Sequence, residues 1–317
     1  MSVILKNEFK IAEKEMRQVY NDTLIELAKE DANIVLLEAD LMGAIKTNGF
    51  QEAYPERTIN IGIMEQNMMG VAAGLNVRGL KPYVHTFGPF ATRRCFDQLF
   101  LSLGYAGLNA VIIGSDAGVT ASHNGGTHMP FEDLGLARLV PNMTVYEVSD
   151  PVQFENVLRQ VNDKFELSYI RIVRKSTLSL YEQPSTFKLG KGVVLKEGLN
   201  ATIVASGIMV EKALQAHDIL KEQGIHVSVI DMFRIKPIDS KLLREYAQKT
   251  SGIVTAENHN IIGGLGSAVL EALSDVAVKV KQVGVHNRYG QVGPQAFLEE
   301  EYQLTADEIV KAVKELL

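Results

Sequence analysis

The sequence predicts an α/β fold made of two doubly wound open-sheet domains. Short apolar runs recur along the chain, as in parallel strands buried on both faces. Stretches with apolar residues at helical spacing separate them. Between Ser176 and Lys191 the text STLSLYEQPSTFKLGK turns polar and loses periodicity, and the alternation resumes beyond it. A chain of 317 residues also has the length of two compact domains.

The elements follow in order. Met16, Val19, Leu24, Leu27 and Ala28 recur at helical spacing, and the run Ile34 to Leu37 reads as a strand. Thr58 to Ile61 reads as a strand, Met64 to Leu75 as a helix rich in Gly, Ala and Met, and Lys81 to Thr86 as a strand. A helix is expected over Phe90 to Ser102, then a strand over Asn109 to Ile113. Thr144 to Val148, Pro151 to Val161 and Tyr169 to Val173 give strand, helix, strand. These place a first domain at 1–178, a linker at 179–190 and a second domain at 191–317. In the second, strands are expected over Ala201 to Ala205, His226 to Asp231 and Gly252 to Ala256. Its helices are expected over Met209 to Glu222, Ser240 to Gln248, Gly266 to Ser274 and Thr305 to Leu316.

Composition excludes several classes. Hydrophobic residues at 46% and charged residues at 22% suit a globular protein with sizeable cores. A net charge of -6 without a Lys/Arg cluster argues against nucleic acid. The single cysteine, Cys95, excludes an internal disulfide and a four-cysteine zinc site. No apolar run is long enough for a membrane span. The first residues carry early charges rather than a secretory pattern, so the expected compartment is the cytoplasm.

The richest segment is INIGIMEQNMMGVAAGLNVRGLKPYVHTFGPFATRRCFDQ, from Ile59 to Gln98. Glu65 stands where a strand gives way to a helix. It reads either as a first-turn acid stabilised by the helix dipole or as a half-buried carboxyl among Met64, Met68 and Met69 with a raised pKa. Phe87 and Phe90 read either as core packing or as a platform for a planar ligand. His123 and His128 lie in a Gly-rich loop with no third ligand evident, so no metal site is expected in this chain. The run Gly263-Gly264-Leu265-Gly266 beside His259 lacks the full dinucleotide fingerprint and reads as a structural turn. His217, on a helix of mixed polarity, is expected in solvent. Arg171 and Arg174 read either as salt-bridge partners or as a guanidinium grip on an anion.

G-I-M-E-Q-N-M, followed some twenty residues on by H-T-F-G-P-F-A-T-R-R-C-F-D-Q, resembles the pyrimidine-binding domain of transketolase. The resemblance continues through L-L-E-A-D-L, G-S-D-A-G-V-T-A-S-H-N-G-G-T-H-M-P, A-R-L-V-P-N-M-T-V and Y-I-R-I-V-R-K. Beyond the linker, V-I-D-M-F-R-I-K-P-I-D and A-E-N-H-N-I-I-G-G-L-G-S-A-V are similar to that family's C-terminal domain. The resemblance implies the two domains, and thiamine diphosphate as cofactor. It implies that Glu65 bonds a ring nitrogen of the aminopyrimidine. A carboxyl kept protonated by burial can drive that ring to its imino form, which then acts as the internal base. It further implies Phe87, Phe90, Asp40 and Arg93 at the cofactor, His128 with His85, His123 and Asn124 at substrate oxygens, and Arg174 at a phosphate. His123 and Asn124 stand where the family commonly has Glu and Asp, which puts the usual ketose phosphate in question and points to a non-standard ketose.

The family's Gly-Asp-Gly motif for diphosphate and Mg2+ is absent. The resemblance therefore implies a partner, a transketolase N-terminal-section subunit that holds Mg2+, in an α2β2 assembly acting on sugar phosphates. The β subunit of a 2-oxo-acid dehydrogenase shares this layout and is the alternative, with a non-catalytic binding subunit behind it.

Overall fold

The structure, a computed structural model, describes residues 3–317. Its strands in the first half of the chain are β1 (Leu5–Ile11), β2 (Ile34–Glu38), β3 (Thr58–Asn60), β4 (Lys81–Phe87), β5 (Val111–Ser115), β6 (Thr144–Glu147) and β7 (Ser168–Arg171). Then come β8 (Leu178–Tyr181), β9 (Val193–Lys196), β10 (Ala201–Ala205), β11 (Val227–Asp231), β12 (Arg234–Lys236), β13 (Gly252–Asn260) and β14 (Lys279–Val285).

The first sheet runs β12-β6-β7-β5-β4-β2-β3 and is parallel except for β12. Both of its faces are covered, and the strands show why they read as unbroken apolar runs. In β2, Ile34 and Leu36 pack beneath the helices Met16–Glu30 and Pro151–Lys164. Val35 and Leu37 face the opposite layer with the helix Glu65–Val77. Strand alternation thus sends each neighbour to a different core. Asp150 starts the helix Pro151–Lys164 by accepting from Gln153 N at 2.8 Å, with Pro151 in its first turn.

The second sheet runs β14-β13-β10-β11-β9, parallel except for β9. Helices Met209–Glu222 and Ala306–Leu316 cover one face, and Ser240–Lys249 and Leu265–Ala272 the other. These are the two doubly wound sheets expected.

Where the structure differs, the reasons are local. The sheets are stitched together: β12 leaves the second domain and pairs antiparallel with β6, Arg234 opposite Tyr146. One apolar core runs through both domains, and Tyr146 stacks on Phe233 at 6.5 Å. Part of the expected linker is β8, paired antiparallel with β1. β1 escapes a periodicity reading because its residues are only half-buried or exposed. The helix expected over Phe90 to Ser102 is broken at Thr92 (φ -123°, ψ -86°), whose hydroxyl turns back to Gly88 O at 2.8 Å. It resumes through Phe96–Gln98 and ends as a π-helix over Leu99–Tyr105. His217 is buried rather than solvated, and its Nδ1 lies 3.0 Å from Val227 O. Among the described residues no helix is long and apolar enough to cross a membrane.

Candidate active site

Parallel strands align their carboxyl ends along one edge of a sheet, and that edge is where open α/β folds bind ligands. Asp40 follows β2, Asn60 ends β3, Phe87 ends β4, Asp116 follows β5 and Arg174 lies beyond β7. Asp40 is exposed in left-handed backbone (φ 60°), held by reciprocal bonds with Asn60.

Glu65 opens the helix Glu65–Val77 but is only 2% exposed. Its Oε1 accepts from Arg94 Nη1 at 2.8 Å. Its Oε2 is buried and has no hydrogen-bond partner. The Arg94 guanidinium lies 3.6 Å over the Phe90 ring. Arg94 follows Phe90 by four residues, across the irregular backbone at Thr92.

The His128 ring makes T-shaped contacts with both phenylalanines, 5.0 Å from Phe90 and 5.7 Å from Phe87. Its Nδ1 is 2.8 Å from Thr127 Oγ1. Arg174 stands 5.3 Å from the Phe87 ring and donates from Nε to Asp116 Oδ1 at 3.0 Å. Glu65, Arg94, Phe90, His128, Phe87 and Arg174 therefore form one continuous chain of contacts.

Other expected residues lie differently. His85 is fully buried, with Nδ1 2.8 Å from Glu38 Oε2 and Nε2 3.0 Å from Ser115 Oγ. Both ring nitrogens are engaged, so His85 does not face the cleft in this chain. Arg93 braces the loop instead of standing free: it donates to Glu132 Oε1 at 3.0 Å and to Thr127 O at 2.7 Å. His123 and Asn124 are exposed on the loop, just after Ser122, whose backbone is strained (φ 52°, ψ -115°). Arg171 and Arg174 part company. Arg171 is fully buried and holds Asp133, Glu147, Pro130 O and Asn258 O. With four partners on three segments of the chain, it is a structural hub. Around it, burial pushes the Glu257 carboxyl up to about 8 and the His259 imidazole down to about 4. Glu257 accepts from Leu265 N and Gly266 N, so the Gly-rich run is the turn that starts the helix Leu265–Ala272.

Sequence reading missed Arg94, Asp116 and Asn258. Arg94 is the second of a doublet, and nothing in its spacing from Glu65 signals a contact. Asp116 carried one weak signal, an acid just past a strand end with Gly114 and Gly118 two residues to either side.

The site suits a flat, polar-edged ring. An unpartnered buried carboxylate oxygen and two aromatic faces are what an aminopyrimidine requires. Glu65 would hold its ring nitrogen and Phe87 and Phe90 its face.

The chain matches two family models, "Transketolase, pyrimidine binding domain" over residues 12–178 and "Transketolase, C-terminal domain" over residues 190–309. It is 44% identical over 310 residues to the 6-deoxy-6-sulfo-D-fructose transketolase subunit SqwH of Clostridium sp. (strain MSTE9), covering 98% of this chain and 96% of that one. It is 35% identical over 270 residues to an apulose-4-phosphate transketolase subunit of Phocaeicola vulgatus, covering 85% and 86%. A solved structure described as "Split gene transketolase, inactive beta4 tetramer" superimposes with a TM-score of 0.87 at 41% identity, over 96% of this chain and 99% of that one. With both family domains present, the chain belongs to the transketolase family and is a transketolase-type transferase subunit.

Proposed function

We propose that this chain is the pyrimidine-binding subunit of a split, thiamine-diphosphate-dependent transketolase. It transfers a two-carbon ketol unit from an anionic ketose to an aldose phosphate. The observation that carries this reading is the buried, unpartnered Glu65 Oε2 beside the Phe87–Phe90 pair. Thiamine diphosphate supplies, when bound, the nucleophilic carbon that this chain's own side chains lack. Glu65, itself only 2% exposed, would hydrogen-bond the ring nitrogen through its free Oε2. Phe87 and Phe90 orient the ring. His128 offers Nε2 to a substrate hydroxyl or carbonyl oxygen, its other nitrogen being fixed by Thr127. Arg174 takes the anionic end of the sugar.

The partner is an N-terminal-section subunit that binds the diphosphate and Mg2+, in an α2β2 assembly. The two named relatives are subunits for 6-deoxy-6-sulfo-D-fructose and apulose-4-phosphate. Together with His123 and Asn124, these names favour a non-standard ketose as donor here. The experiment is calorimetry of thiamine diphosphate with this chain, with the partner and with both, followed by a ketol-transfer assay on the pair. Cofactor binding and turnover are expected only in the pair. Tight binding by this chain alone rules out the shared site.

A further inference from the structure

We propose that Asn258, in the second domain, is a positioning residue that sets the anion-gripping geometry of Arg174 in the first. The inference rests on the reading of Arg174 as the substrate's anion fork. Arg174 is pre-aimed by one bond, Nε to Asp116 Oδ1 at 3.0 Å. Among the described residues its Nη groups make no hydrogen bond, which leaves both for a ligand. Arg171 cannot substitute, because its guanidinium is spent on Asp133, Glu147, Pro130 and Asn258.

Asp116 needs holding. It is 1% exposed, lies in left-handed backbone (φ 62°), and has no partner for Oδ2. Gly118, two residues on, is also left-handed (φ 48°). Within the turn Ala117 O accepts from Thr120 N at 3.0 Å and from Thr120 Oγ1 at 2.7 Å, and the second domain adds further contacts. Asn258 Oδ1 accepts from Val119 N at 3.0 Å and its Nδ2 donates to Ala117 O at 2.9 Å. This side-chain clasp replaces a strand partner for the turn. A Cβ on Gly118 would run into Asn258 Oδ1, so the glycine is required by close approach as well as by φ. The backbone of Ala117 is tied in turn to Ile172 O at 3.3 Å, two residues before Arg174. Asn258, the turn, Asp116 and Arg174 form a relay from one domain to the other. The second domain also touches the loop through Ser122 Oγ to Gly293 O at 2.9 Å, next to His123 and Asn124.

The test uses Asn258→Ala and Asn258→Ser in the complex with the partner, with ribose 5-phosphate and ribose as acceptors that differ only in the phosphate. KM for ribose 5-phosphate is expected to rise about tenfold, with kcat changed less than about twofold and the KM for ribose unmoved. An unchanged KM ratio in both variants overturns the proposal, and so does an equal loss on both acceptors. A second readout does not depend on turnover. In the full chain labelled with 15N-arginine, the Arg174 Nε–H resonance is assigned by its loss in Arg174→Lys. It is expected to shift or broaden in Asn258→Ala and Asn258→Ser. A wild-type complex that shows no ketol transfer counts against the proposed function, and the resonance then decides the relay alone. If that resonance is unchanged in a folded variant, Asn258 does not position Arg174. Should Asn258→Ala fail to fold, Asn258→Ser carries both measurements.

Discussion

The Arg94 guanidinium carbon lies over Phe90, 3.6 Å from the ring centroid, and from that position Arg94 donates to Glu65 at 2.8 Å. One guanidinium thereby fixes both the face and the edge of the proposed pyrimidine pocket. Because it satisfies only Oε1, the second oxygen of Glu65 keeps its hydrogen-bonding capacity.

Glu65→Gln should leave the fold intact and remove most activity. The amide preserves size but cannot hold an acidic proton at the ring nitrogen. The loss expected in kcat is about 10² to 10⁴-fold, the range for a positioned acid–base group. Circular dichroism checks the fold and the ketol-transfer assay checks the rate. Near-normal turnover would reduce Glu65 to a helix-terminal acid.

Arg174→Ala should weaken binding of anionic acceptors far more than it lowers kcat. A guanidinium gripping an unreacting anionic end binds ground and transition states alike. Losing one charge-assisted interaction of about 1.5–3 kcal/mol corresponds to roughly ten- to a hundred-fold in KM. The matching uncharged acceptor should be indifferent. Equal loss on both would make the Arg174–Asp116 pair a purely structural ion pair.

Asn124→Asp should shift donor preference toward xylulose 5-phosphate. A carboxylate in the exposed loop accepts a sugar hydroxyl and offers no donor in return, whereas Asn124 does both. Wild type is expected to prefer a different ketose. A donor panel run on both proteins reads this directly, and identical rankings with xylulose 5-phosphate first would end the non-standard reading.

The residue types at the site were legible, but several of their surroundings were not. Glu65, Phe87, Phe90 and His128 lie in short motifs at strand ends, so sequence order and spatial order coincide there. Arg94 was invisible because its contact with Glu65 spans 29 positions of sequence, which no periodicity announces. Asn258 meets Val119 across 139 positions of sequence, a distance that only the folded interface closes. His85 has the residue type expected of a substrate ligand, yet Glu38 and Ser115 occupy both its nitrogens. In the fold, the fully buried strands read clearly, while β1, β8, β9, β12 and β14 did not. β1 and β9 present half-exposed faces, and β8 is a short strand within a polar stretch.

Stability should fall with rising pH across the acid junction between the domains. Asp150 and Asp231 are both fully buried, and burial pushes each from 3.8 up to about 6. Asp231 Oδ2 receives Ser149, Gln153 and Tyr181, while Asp150 receives Gln153, Leu180 and Tyr181 through their backbone N–H groups. A raised folded pKa means the native state holds protons the unfolded chain has released. The contribution is complete below about pH 3.8 and is lost as pH rises through about 6. Asp231→Asn imitates the protonated acid at every pH. Its melting temperature relative to wild type should therefore climb between about pH 4.5 and about pH 7.5. A difference that stays flat across that interval places the titration elsewhere.

The pairing of β12 with β6 makes the covalent boundary and the mechanical boundary different things. Cutting the chain within 179–190 separates the two domains of the family but pulls a strand off the first sheet. The amino-terminal fragment would then present Thr144 to Glu147 as a bare edge, open to any extended peptide, including another copy of itself. A gene fragment ending at the linker would therefore encode a first domain whose sheet lacks its outermost strand.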